Sequence, residues 1–223
     1  IAGSSDVTAA SETHGSADTT HETPLIRTYV ADNSEDNLIK AVVGLHGVFR
    51  LPEGLDARTK QFCDIIRDAD KLDILHTITI NTPFDLFGAT DEEFRASALS
   101  VEAKQAFYDH RCLQKYERHY PADYLIGFLC FAYELVYPES LHIVAEDGYL
   151  MQLFTAPFGL TFTNTDTAEE IMVMHQHMRH WLSGEIAKSD PIFDAEQQHL
   201  TQTYETLHAM ELSLARAIQK TAE

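Results

Sequence analysis

The segment "IIRDADKLDIL", residues 65–75, decides how this chain is read. Phe62, Ile65, Ile66, Ala69 and Leu72 recur at three-to-four spacing, the period of an amphipathic helix. The same stretch holds Asp68, Asp70 and Asp73. At about 100° per residue, Asp73 falls nearest the centre of the apolar stripe, with Asp68 and Asp70 flanking it on opposite sides. Acids beside a core are costly unless a cation or hydrogen bonds compensate them. A metal ion, Arg67, Lys71 or a helix N-terminus would each do so, and periodicity does not choose among the three aspartates.

Helical patterning continues on both sides. Residues 33–49, "NSEDNLIKAVVGLHGVF", offer Ser34 as N-cap, acids in the first turn, and Leu38, Ile39, Val42, Leu45 and Phe49 as a stripe. His46 falls in that stripe, either as a satisfied core residue or as a ligand facing an internal site. "RLPEGL" (50–55) reads as a turn and 56–76 as the second helix. The Pro and Gly of "NTPFDLFGAT" (81–90) mark a loop. Helices are expected over 91–96, 101–118, 123–137, 139–154 and 167–187, the last opened by a Thr167–Glu170 capping box. Residues 160–166 read as irregular, with a short strand as the alternative. A last helix from about residue 194 carries Leu200, Tyr204, Leu207, Leu214 and Ile218, which pack on their own domain or form a homodimer seam. The expected class is all-α. Residues 1–22, rich in small polar side chains, form a loop or mobile terminus; 23–187 form the helical domain; 190–223 form a terminal helix.

Bulk properties narrow the function. The chain has 223 residues, 44% of them apolar, which suffices for a packed core. Sixteen basic residues against 35 acidic give a net charge of -19, which makes nucleic acid and anionic membranes poor partners. Cys63, Cys112 and Cys130 are odd in number and widely spaced, so free buried thiols and a reducing, cytoplasmic location are expected. The most apolar run, "YLIGFLCFAYELVY" (124–137), is too short to span a bilayer and contains Glu134. The first residue is Ile, and a segment upstream is expected to have been removed or not shown.

The segment 65–75 resembles the last motif of the HD-domain metal-dependent phosphohydrolases. Within it, the Ala-Asp-Lys-Leu register is similar to the one that places their final metal-binding aspartate, which implies Asp70 as ligand. The closest resemblance is to uncharacterised bacterial HD proteins with an Ile-Arg-Asp-Ala-Asp-Lys-Leu-Asp signature. There, a helix ending in histidine and a Leu-Pro turn precede the signature, and "AVVGLHGVFRLPEGLDARTKQF" (41–62) has that form with His46 in the histidine position. "ETHGSADTTHETPLIRTYV" (12–30) is similar to the stretch further upstream and places His14 as a ligand, with His21 as its competitor. "ADYLIGFLCFAYELVYPES" and "EDGYLMQLF" extend the likeness to about residue 187. The His-Asp pair that names the family has no counterpart before His14, and Asp109-His110 has the reverse order. The first helices of the domain are therefore expected upstream of this chain.

The resemblance implies an HD-type helical bundle with additional C-terminal helices. It also implies one or two divalent ions (Mn, Fe, Co, Ni, Zn or Mg) held by His14, His46 and Asp70. Hydrolysis of a small phosphate ester, such as a nucleotide, by metal-bound water follows from it, with Arg67 and Lys71 as phosphate contacts. The rival expectation is a non-catalytic HD scaffold that senses a nucleotide or binds a protein. "HQHMRH" (175–180) lacks a histidine pair four residues apart and reads as a solvated helix face rather than a metal cluster. Tyr116, Tyr120, Tyr124, Tyr133 and Tyr137 read as core-packing or core-capping residues.

Overall fold

In a computed structural model, residues 26–189 are described, and they are helical with no strand among them. The expected all-α class is the one observed. The order is α1 (Asp36–Leu45), α2 (Ala57–Ile80), α3 (Pro83–Phe87), α4 (Asp91–Arg95), α5 (Val101–Tyr108), α6 (Pro121–Leu129), α7 (Pro138–Asp147), α8 (Tyr149–Thr155) and α9 (Thr165–Ser189). Short 3-10 turns lie at Lys115–Glu117, Cys130–Glu134 and Pro157–Gly159. The expectations for residues 1–22 and 190–223, with His14 and His21, lie outside the described residues.

The core gathers around α6, whose Leu125, Ile126 and Leu129 are fully buried. Phe94, Phe107, Leu150, Leu153, Met174 and Met178 close on it from α4, α5, α8 and α9. α2 packs against α6, α7 and α8, and α9 packs on the other side of α7 and α8. α1 lies on α2. No helix among the described residues is long and apolar enough to cross a membrane.

The helix ends follow local chemistry. Thr82, Thr90 and Ser100 accept from backbone N–H groups three residues on and start α3, α4 and α5. The loop expected at 81–90 thus contains a capped helical turn. Gly148, at φ 70°, divides the expected 139–154 helix into α7 and α8, because a left-handed residue cannot continue a right-handed helix. The expected 101–118 helix stops at Tyr108 for the same reason, with His110 at φ 54°. α1 begins after Glu35 rather than at Ser34, whose hydroxyl and N–H both bond Asp32 instead. α9 starts earlier than expected, with Asn164 accepting from Thr167 N–H. Thr167 itself is buried, its hydroxyl donating to the Ser97 carbonyl at 2.8 Å, so the expected capping box does not form.

The largest departure concerns α2. Its buried residues are Cys63, Asp64, Asp68, Lys71, Leu75 and Ile78. Most of the stripe read from the sequence faces outward, with Phe62, Ile65 and Ile66 each at least 40% exposed, while Leu72 still packs against the core. The helix turns its more polar face to the core because that face finds polar partners there.

Candidate functional site

Asp68 shows how those partners work. Its carboxylate is 2% exposed and accepts from Val136 N–H at 3.0 Å, Tyr137 N–H at 3.0 Å and the Ser140 hydroxyl at 2.8 Å. These groups are the otherwise unsatisfied N-terminus of α7, where a negative charge also meets the positive end of the helix dipole. Asp68 is thus a cap supplied by a distant helix.

Lys71 and Arg67 lie one turn apart on the same helix. Lys71 is buried, with its Nζ 3.8 Å from Glu134 Oε2 and 3.4 Å from the Arg67 carbonyl. Burial, and then the neighbouring Arg67 charge, holds the Lys71 ammonium below the usual lysine range. The Arg67 guanidinium donates to the carbonyls of His46 at 3.2 Å, Val48, and Phe49 at 3.4 Å, and reaches Glu134 at 4.0 Å. Glu134, the acid inside the apolar run, thereby compensates two cations at the end of the 3-10 turn after α6. Arg67 fastens the loop behind α1 to the middle of α2.

That fastening holds the His46 backbone at the Arg67 guanidinium. His46 is the exposed C-cap of α1, with helical φ and ψ of -60° and -42°, and is not buried with the apolar face. Its Nδ1 lies 2.7 Å from the Val43 carbonyl. A carbonyl only accepts, so Nδ1 carries the proton of the neutral ring and Nε2 keeps its lone pair. Asp70 is half-buried, one turn on from Arg67, and has no hydrogen bond or ion pair among the described residues. Asp73 is exposed. At about 100° per residue, Asp70 is turned about 60° from Arg67 and Asp73 about 120°, so Asp70 stays nearer the side on which His46 is tied. The three aspartates that periodicity leaves equivalent thus have three different settings. Among the described residues, no group of three or more His, Cys, Asp or Glu side chains is placed to hold a metal.

Sequence reasoning missed a buried carboxylate outside α2. Asp123 is fully buried and accepts from Ser100 N–H at 2.9 Å, His119 N–H at 2.8 Å and Tyr120 N–H at 3.0 Å. It joins the starts of α5 and α6, and the Pro-Ala-Asp opening of α6 was the signal for it. The "HQHMRH" segment is also not a simple solvated face: His175 stacks on Phe154 with centroids 5.2 Å apart, and His177 meets His110. Tyr116 is 78% exposed and does not pack on the core. The cysteines are free and buried as expected. Compared with known proteins, the chain matches no family model, no curated protein and no solved structure.

Proposed function

We propose that this chain carries part of the metal site of a phosphohydrolase acting on a small phosphate ester, a nucleotide included. His46 and Asp70 are its ligands within the described helices. The observation that carries the reading is the setting of Asp70. In α2, Asp64 is paired with Lys60 and Asp68 caps α7, whereas Asp70 has no partner among the described residues and lies one turn on from Arg67, which ties down the His46 backbone. His46 supports it, because a ligating imidazole commonly donates its other N–H to a carbonyl, as Nδ1 does here to Val43.

An imidazole and a carboxylate suit borderline divalent ions such as Mn, Fe, Co, Ni or Zn, and Mg is also compatible with the carboxylate. Two donors do not complete such a site; His14 is the further ligand that the resemblance supplies. A bound divalent ion would polarise a phosphoryl oxygen and supply positive charge that a chain of net charge -19 otherwise lacks. The protein's own contribution is positional: Val43 fixes the His46 ring, and Arg67 holds that ring's backbone beside α2. Arg67 and Lys71 act on a phosphate as nearby positive charge, since their donors are engaged by carbonyls and Glu134.

Metal analysis of the full-length protein, followed by a panel of phosphate esters, tests this. Asp70→Ala should lose at least about tenfold in metal affinity, equivalent to about 1.4 kcal/mol, with its unfolding midpoint nearly unchanged. Undiminished metal binding in Asp70→Ala would remove Asp70 from the site. A full-length wild-type protein that binds no metal and cleaves no ester would favour the non-catalytic scaffold instead.

A further inference from the structure

His110 sits past the end of α5 in the left-handed region, at φ 54°. Glycine commonly takes this position after a helix, because a Cβ there is sterically costly. The backbone is held by His110 N–H donating to the Phe107 carbonyl and Arg111 N–H donating to the Ala106 carbonyl, both at 3.1 Å. From there the side chain crosses to α9, where its Nε2 lies 2.8 Å from Nε2 of His177. His110 is exposed and His177 half-buried, so solvent protons reach the pair.

The rings meet head-on. Their centroids are 5.1 Å apart, close to the greatest separation two imidazoles can have at that nitrogen distance. Two imidazoles on one cation would converge on it at an angle, and their rings would lie closer for the same nitrogen spacing. A cation in line between them would hold the nitrogens about 4 Å apart, twice a usual zinc–nitrogen bond. The observed geometry suits a single proton: one Nε2 donates and the other accepts.

Aromatic groups frame the pair. His110 stacks on Tyr133 with centroids 4.5 Å apart and meets the Trp181 ring at 5.9 Å. His177 packs on Phe107 at 5.7 Å and Tyr108 at 5.3 Å. The titratable neighbours come from every side. α5 contributes Tyr108, which donates to Glu170 of α9 at 2.8 Å. The turn contributes Asp109 and Arg111, the latter paired with Glu117. The 3-10 turn after α6 contributes Tyr133, and α9 contributes His180.

We propose that His110 and His177 form a proton-sharing pair that fastens the 109–114 turn to α9 and releases it when both rings are protonated. The first proton strengthens the bond, because a charged donor then faces a neutral acceptor. The second sets two donors and two positive charges face to face. Burial, then His110, then His180 lowers the proton affinity of His177 below the ordinary histidine value of 6.5. As pH falls, the unfolded chain therefore takes up this proton before the folded one. The part of the stability linked to the His177 proton is fully present above about pH 6.5 and is lost as pH drops through the folded value.

Nuclear magnetic resonance titration of the whole chain decides the matter. At neutral pH the imidazole nitrogen shifts should show one protonated and one bare Nε2. The pair should then titrate in two coupled steps at least about one pH unit apart. His110→Asn preserves a residue type that tolerates the left-handed turn; in it, His177 should titrate in a single step at higher pH. Independent titration of both rings at the ordinary value, or an unmoved His177 in His110→Asn, would overturn the proposal. So would stoichiometric zinc shifting both Nε2 resonances at neutral pH, which would make the pair a cation site. The wild-type titration is decisive even if the variant does not fold.

Discussion

Asp68 and Asp70 differ by two positions and do opposite things. Removing Asp68 leaves the part-buried Val136 and Tyr137 N–H groups and the buried Ser140 hydroxyl without their acceptor. An abandoned buried donor costs about 1–3 kcal/mol, so Asp68→Ala should destabilise the fold by about 3 kcal/mol or more, measured by urea unfolding. Asp70→Ala removes a side chain without internal partners and should cost less than about 0.5 kcal/mol. Equal losses would mean that Asp70 has a structural role after all. The two roles were not separable from the sequence for a physical reason. What decides the Asp68 role lies 68 to 72 residues away, at Val136 and Ser140, and local periodicity carries no information about it. The Ala-Asp-Lys-Leu register distinguished the two acids only through resemblance.

Elements reveal the same limit in another form. The existence and order of the main helices were legible because their starts carry local signals, such as Pro121 and Pro138 in the first turns of α6 and α7. Which face of α2 is buried was not legible. Hydrophobic period assumes that the apolar stripe faces the core, and here Glu134 and the N-terminus of α7 make the polar face the better fit. The consequence is measurable. Leu75 is 2% exposed, so Leu75→Ala should cost about 2–5 kcal/mol. Ile65, on the stripe that the sequence assigned to the core, is 44% exposed, so Ile65→Ala should cost about 1 kcal/mol or less. A larger penalty at Ile65 than at Leu75 would restore the original stripe.

At the scale of the whole molecule, the described buried carboxylates all have partners, helix N-termini for Asp68 and Asp123 and Lys60 for Asp64, and the buried thiols stay neutral. Cys112 and Cys130 are buried, and Cys112 Sγ donates to the Cys130 carbonyl at 3.6 Å. Burial pushes both thiols well above the usual cysteine range, and for Cys112 the nearby Glu134 charge adds to it. Unfolding releases them to ordinary values near 9.0. Above that pH the unfolded chain has lost protons that the folded chain still holds. The stability they contribute is therefore fully present below about pH 8.5 and falls as pH rises beyond it, by about 1.4 kcal/mol per pH unit for each such thiol. Unfolding midpoints between about pH 8 and pH 10 should show this decline, and Cys112→Ala should make it shallower. Thiol labelling provides the independent check, because a thiolate reacts and a buried thiol does not. Labelling of both cysteines should accelerate with urea in step with global unfolding. Prompt labelling of either one in the native protein would show that it opens locally, and the alkaline decline would then belong to other groups.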